Sequence, residues 1–126
     1  MKLRYLPTSS DGPVLLFQDA DPHGARTLLE AFEALAEGQR LSVDLHALPE
    51  VQPVDGCRLV GLASDAPRQD LTVEPTTFLW RLRRIQWETV AGLVQPFVDP
   101  EPAFVGHQYL GNAGSATVII STTDRW

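Results

Sequence analysis

The side chains best suited to metal binding or nucleophilic attack are three histidines and one cysteine: His23, His46, His107 and Cys57. No two of them lie two, three or four residues apart. Asp44 and His46 would share one face of a strand, because residues two apart on a strand point the same way. A zinc site requires three or four converging ligands, which one such pair does not supply. The sequence therefore predicts neither a metal site nor a cofactor.

Motifs for nucleotide binding or acyl transfer are missing from the sequence. The glycines fit neither a dinucleotide-binding nor a phosphate-binding loop, and no serine has the G-x-S-x-G context of a nucleophile elbow. Cys57 begins an apolar run, so we expect a buried and unreactive thiol at this position. Because no catalytic set converges, the residues favour a non-catalytic protein over an enzyme.

The charge balance argues against nucleic-acid binding. With 10 lysines and arginines against 16 aspartates and glutamates, the formal net charge is −6. A surface that binds a phosphate backbone needs clustered basic side chains. The basic residues that do cluster are Arg81, Arg83 and Arg84. On an acidic protein, such a local patch is better suited to a carboxylate or a protein partner.

Compartment and membrane contact are also constrained. No apolar run exceeds four residues, so nothing in the sequence predicts a membrane span. The first residues lack the apolar segment of a secretory signal, and a single cysteine cannot form an internal disulfide. We therefore expect a soluble cytoplasmic protein, present as a monomer or a homodimer.

The stretch over residues 77–98 changes its hydrophobic period and must hold two elements. Its first part has apolar side chains at alternate positions, Phe78, Trp80 and Leu82, which indicates a strand. From Trp87 onwards the apolar positions are 87, 90, 91, 94, 97 and 98, one face of a helix. Residues 84–86 are predicted to be the turn between them. Pro96 cannot donate a backbone hydrogen bond, so the helix is predicted over about 86–96.

A second helix is predicted over residues 21–38. Its apolar stripe occupies positions 25, 28, 29, 32, 35 and 36. Asp21 is a suitable N-cap, and Pro22 fits the first helical position, where its missing N–H has no intrahelical partner to lose. Gly38 predicts a left-handed end to the helix.

The remaining apolar runs predict strands, over residues 2–6, 14–18, 41–47, 57–63, 105–110 and 116–122. Asp11-Gly12 predicts a hairpin turn, and residues 111–114 predict another. Residues 49–56 and 99–102 are predicted loops, and residues 64–76 a linker. The expected fold is a single α+β domain over residues 1–126, in which a mostly antiparallel sheet carries two helices on one face.

The two helical stripes have the same spacing, and each predicted helix is preceded by one strand and followed by two. This order predicts an internal duplication into βαββ halves over residues 14–64 and 77–122. If both helices cover one sheet face, strand alternation places a set of polar and aromatic residues on the other face. Those taken as candidate binding residues are Arg81, Arg83, His107, Tyr109 and His46. Arg and Tyr are enriched at interface hot spots.

Two functions are compatible with these features. The first is a small bacterial-type protein-binding or regulatory module, which would use the open sheet face to meet a protein partner. The alternative is a small-ligand-binding domain with its cleft between the two halves.

Overall fold

Two mixed β-sheets and two helices make up the part of the chain that the computed structural model describes, which is residues 1–64, 77–99 and 105–126. In chain order the elements are β1 (Lys2–Ser9), β2 (Gly12–Gln18), α1 (Pro22–Ala36), β3 (Ser42–Asp44), β4 (Gln52–Pro53), β5 (Arg58–Ala63), β6 (Thr77–Leu82), α2 (Arg84–Val98), β7 (His107–Ala113) and β8 (Ala116–Ser121). The fold class is α+β, as the sequence predicts. The predicted linker 64–76 and loop 99–102 lie largely outside the described residues.

The sheets are mixed, whereas the sequence predicts a mostly antiparallel arrangement. One sheet has the order β4-β1-β2-β8-β7 and the other β3-β5-β6. Antiparallel pairs join β1 to β2, β3 to β5 and β7 to β8, while β2 pairs with β8 and β5 with β6 in parallel. Strand β2 is buried along both faces from Val14 to Gln18, which is typical of a parallel strand.

The predicted βαββ halves are not confirmed as separate units. Strand β2 belongs to the first proposed half, yet its parallel partner β8 belongs to the second. Likewise β5 pairs in parallel with β6 across the proposed boundary. Each sheet therefore combines strands from both halves.

The structure confirms the sequence features that predict helix α1. The backbone N–H of Gly24 donates to Oδ1 of Asp21 at 2.7 Å, and Pro22 is the first helical residue. Gly38 follows the helix with φ of +75°, a conformation that glycine adopts without a steric penalty. The buried residues of the helix are Gly24, Ala25, Leu28, Leu29, Ala31, Phe32 and Leu35.

The change from a strand to a helix within residues 77–98 is confirmed, but both ends of the predicted helix are wrong. Residues 84–86 form the first turn of α2, and Oε1 of Gln86 accepts the N–H of Arg83 at 2.9 Å. This contact satisfies a backbone donor at the helix start. The helix also continues past Pro96 to Val98. Pro96 is exposed, and burial of Phe97 and Val98 holds the last turn against the core.

Aromatic side chains from both helices and the second sheet meet in the centre of the core. The ring centroids of Trp80 and Trp87 lie 4.8 Å apart, and Phe32 lies 5.7 Å from Trp80 and 5.6 Å from Trp87. Both tryptophans are fully buried, as the alternation and the helical stripe predict. Trp87 Nε1 donates to the carbonyl of Leu62 at 3.0 Å, whereas Trp80 Nε1 has no hydrogen-bond partner.

Several strands differ in extent from their predictions. Strand β1 continues to Ser9 instead of ending at residue 6, and β4 lies within the predicted loop 49–56. The strand predicted over 41–47 ends at Asp44, and a short 3-10 turn over Leu45–Ala47 follows it. This turn directs Leu45 into the core, where it is fully buried. The strand predicted over 105–110 instead covers His107–Ala113, so Gly111 lies within β7. The turn to β8 is formed by Gly114 and Ser115.

Candidate functional site

The candidate binding residues from the sequence are distributed over both sheets. Arg81 lies exposed on β6, and Arg83 lies exposed at the residue before α2. His107 and Tyr109 lie exposed on β7, at the edge of the other sheet, with ring centroids 6.0 Å apart. The structure therefore brings His107 and Tyr109 together. Within the described ranges, no hydrogen bond, ion pair or ring contact joins either arginine to them.

His46 does not share a strand face with Asp44, because the strand ends between them. Its ring instead turns towards β5, and Nδ1 accepts the backbone N–H of Leu59 at 3.1 Å. This bond fixes the 3-10 turn to the start of β5, so His46 has a positioning role in the fold. Residues 1–64, 77–99 and 105–126 contain no group of three His, Cys, Asp or Glu residues able to hold a metal ion.

A pocket that the sequence does not predict lies beside β1, where the first sheet approaches the second. It has a volume of about 280 Å³ and is lined by Arg4, Tyr5, Pro7, Val54, Asp55, Cys57 and Phe78. We refer to it as the β1 pocket. It joins side chains from β1, from the turn before β5 and from the start of β6.

The β1 pocket exists because β4 covers only the beginning of β1. Strand β4 pairs with Lys2 and Leu3, and the N–H of Val54 then donates to the Leu3 carbonyl at 2.9 Å. After this bond the chain turns away through Asp55 and Gly56, both at positive φ. A bond from the Cys57 N–H to the Val54 carbonyl, at 3.1 Å, closes the turn. Beyond Leu3, the edge of β1 is therefore not covered by β4, and it borders the β1 pocket.

Two aromatic rings form much of the pocket wall. The ring centroids of Tyr5 and Phe78 lie 4.5 Å apart, with the planes tilted by 49°. Both residues are half-buried and pack against the main core. The wall is therefore apolar and anchored to both sheets, since Tyr5 belongs to β1 and Phe78 to β6.

The polar groups of the pocket differ in their access to water. Asp55 is exposed at the turn. Arg4 Nε has neither solvent-accessible surface nor a hydrogen-bond partner, so it lies behind the pocket wall and does not face the pocket. Cys57 is 4% exposed, which confirms its predicted burial, and this burial raises the pKa of its thiol to about 11. The thiol is therefore neutral near pH 7 and a poor nucleophile.

A larger hollow of about 410 Å³ lies near the start of β1, lined by Met1, Lys2, Asp19, Glu50, Val51 and Gln52. Four of these six side chains are exposed and polar, so the hollow is a wet surface depression. The β1 pocket is smaller but has the aromatic walls and few polar groups that are typical of ligand sites. We regard the β1 pocket as the better candidate for this reason.

Sequence reasoning missed the β1 pocket because its walls come from three distant segments. One signal was present: Asp55-Gly56 is the same turn dipeptide as Asp11-Gly12. Read as a turn, it would have placed Cys57 and Val54 at a tight reversal. Nothing in the sequence indicates that Phe78 lies opposite Tyr5.

Comparison with known proteins gives no relative from which a role could be transferred. The chain matches no protein-family model, and no curated protein or solved structure is significantly similar to it.

In the described part of the chain, no helix has both the length and the apolar character needed to cross a membrane.

Proposed function

We propose that the protein is a non-catalytic module that binds a small molecule in the β1 pocket. The observation that carries this proposal is a pocket whose wall is formed by the packed rings of Tyr5 and Phe78. Its volume of about 280 Å³ is close to the lower end of ligand pockets, which begin at roughly 300 Å³. The ligand is therefore small.

Energetics support an occupant in the pocket. Covering the apolar wall formed by Tyr5 and Phe78 is favourable, by roughly 25 cal/mol per Å² of apolar surface removed from water. The neutral thiol of Cys57 supplies no activated nucleophile, which favours binding without chemistry.

The experiment is a small-fragment screen followed by amide chemical shifts. We expect binding fragments to shift the amides of Tyr5, Asp55 and Phe78. The variant Val54→Phe, which fills the pocket, should abolish these shifts, while Val105→Phe at an exposed position outside the pocket should not. Fragments that bind equally well to Val54→Phe, or that shift only other amides, would contradict the proposal.

A protein-binding role is the second candidate, and it is favoured by one observation. Tyr109 is 48% exposed and contacts His107 on the edge strand β7. Exposed Tyr is a residue type enriched at interface hot spots. Arg81 and Arg83 are exposed as well, on β6 and at the residue before α2, where they would suit an acidic group of a partner. Loss of partner binding by Tyr109→Ala at unchanged stability would support this role, and unchanged binding would contradict it.

A further inference from the structure

We infer that strand β7 pairs along its open edge with β7 of a second copy of this chain, in an antiparallel register centred on Gln108. Strand β7 lies at one edge of the five-stranded sheet, with β8 as its neighbour. An edge strand offers unpaired backbone donors and acceptors to another chain. This edge is separate from the β1 pocket, so the inference does not depend on the proposed function.

The backbone groups of β7 that point away from β8 belong to His107 and Tyr109. The N–H of Thr122 donates to the Gly106 carbonyl at 2.9 Å, so these two residues form a hydrogen-bonded pair. Such pairs alternate with pairs that exchange no hydrogen bond, so His107 and Tyr109 use neither their N–H nor their C=O towards β8. Accordingly, the carbonyl of Ser121, opposite His107, accepts its bond on the other side of β8.

Most of these outward groups have no partner. Within the described part of the chain, no hydrogen bond reaches the N–H or the C=O of His107, or the N–H of Tyr109. The Tyr109 carbonyl accepts Nε2 of Gln108 at 3.1 Å, so a side chain of β7 itself takes the place of a neighbouring strand. Because a carbonyl oxygen has two lone pairs, it can accept a backbone N–H as well.

A two-fold axis through Gln108 brings the outward groups of two copies into register. It places His107 of each copy opposite Tyr109 of the other. The N–H and C=O groups of both residues then face each other, which allows four backbone hydrogen bonds across the axis. The rings of His107 and Tyr109 have centroids 6.0 Å apart in one copy, and the same two rings of the other copy would lie beside them.

The composition of β7 suits a second copy of the chain. Residues His107–Ala113 include no proline, lysine, arginine or carboxylate, which are residue types that protect the edges of sheets. At the opposite edge of the same sheet, β4 has only two residues, and one of them is Pro53. Two copies with a net charge of −6 repel each other, so they can approach with least repulsion along an uncharged strand.

The paired segment is short, so the dimer is weak and reversible. The register of β7 against β8 shifts between Tyr109 and Gly111, which limits the regular edge to residues 107–109. So short a pairing buries less than the roughly 1,200 Å² at which stable interfaces begin. Since salt screens the repulsion between two acidic chains, we expect the dimer to become tighter as the salt concentration rises.

Cysteine cross-linking tests the register. Gln108 faces its own counterpart across the axis, in a pair whose Cα atoms lie about 4.5 Å apart, within the range of a disulfide. With oxidised glutathione, we expect Gln108→Cys to give at least about tenfold more covalent dimer than Asn112→Cys, an exposed position of β7 that does not meet itself in this register. Cys57 is 4% exposed and does not compete. Equal cross-linking of the two variants would overturn the inference.

Sedimentation equilibrium from micromolar to millimolar protein measures the dimer without a cross-link. His107→Pro removes an outward donor at the first residue of β7, where proline is tolerated, and should weaken the dimer at least about tenfold. Tyr109→Lys, which brings two like charges near the axis, should weaken it as much. Ile85→Lys adds the same charge at an exposed position of α2 and should not weaken it.

The unaltered chain provides the decisive outcome of the sedimentation experiment. If it stays monomeric at millimolar concentration in high salt, the inference is wrong. The inference also fails if Tyr109→Lys and Ile85→Lys dimerise equally well. Neither comparison requires His107→Pro to fold.

Discussion

The two core tryptophans, Trp80 and Trp87, have the same side chain but make different polar contacts. Trp80 and Trp87 are both fully buried and contact the same Phe32 ring. Only Trp87 uses its indole N–H, which the Leu62 carbonyl accepts at 3.0 Å. Trp80 holds an unpartnered N–H in the core. The two positions should therefore respond differently to the same substitution.

We predict that Trp87→Phe lowers the free energy of unfolding by about 1–2 kcal/mol more than Trp80→Phe does. Both changes remove similar apolar volume, but only Trp87→Phe breaks a hydrogen bond, the one from the indole to the Leu62 carbonyl. Urea denaturation of the two variants and the wild type measures the difference. Equal losses, or a larger loss for Trp80→Phe, would show that the hydrogen bond to Leu62 contributes little.

Cys57 predicts a change of stability at alkaline pH. Burial raises the pKa of its thiol from the usual 9.0 to about 11, so the folded chain holds the proton more tightly than the unfolded chain. This contribution is complete below about pH 9 and is lost as the pH rises towards about 11. The free energy of unfolding should fall more steeply over this interval in the wild type than in Cys57→Ala. Parallel curves would contradict the prediction.

At the scale of elements, local signals were sufficient to predict that both helices exist, but not where the second one begins and ends. The stripe over α1 and its flanking Asp21 and Gly38 are neighbours in sequence, so propensity and capping predicted the helix. The same reasoning failed at Pro96, because burial of Phe97 and Val98 outweighs the local preference of proline. Tertiary packing therefore determines where α2 ends, and local sequence patterns do not predict it.

Substituting one glycine in a helix and one in a strand tests helix propensity and core packing separately. Gly92 lies exposed in α2, and a methyl group added there would meet nothing within 4 Å. We predict that Gly92→Ala raises the free energy of unfolding by about 0.5–1 kcal/mol, through helix propensity. Thermal or urea denaturation checks it, and a loss of stability would indicate that Gly92 makes an unrecognised close contact.

Gly61→Ala is the contrasting variant in β5. Its added methyl group would lie 3.1 Å from Leu35 Cδ1 and 3.3 Å from Trp87 Cη2, and both of these side chains are fully buried. We predict a loss of about 1–3 kcal/mol, the usual cost of overpacking a core. Unchanged stability in the same denaturation experiment would mean that the aromatic cluster can shift to accept a methyl group.

At the scale of the whole molecule, the sequence predicted which segments form strands and helices better than it predicted which strands pair with each other. The continuous apolar run from Val14 to Phe17 predicted a strand, but it does not indicate which strand lies beside it. Pairing of β2 with β8 joins segments near opposite ends of the chain. The β1 pocket was missed for the same reason, since Tyr5 and Phe78 meet only through the arrangement of both sheets.

For the whole molecule, we predict the relative exchange rates of the backbone amides in different strands. The centre of the first sheet, where β2 pairs with β8, is buried on both faces. We expect its amides to exchange most slowly and those of the edge strands β3 and β7 to exchange faster. Exchange at Leu16 or Ile119 as fast as in β3 would show that the first sheet opens independently of the core.

The parallel pairing of β2 with β8 also determines the order in which the protein can fold. The hairpin of β1 and β2 is local and can form early, but the outer edge of β2 stays unpaired until β8 joins it. Closing so long a loop is entropically costly and slows folding. During that delay the apolar run Val14, Leu15, Leu16 and Phe17 presents an open edge to other chains. Refolding yield should therefore fall as the protein concentration rises, with β2 as the segment that aggregates.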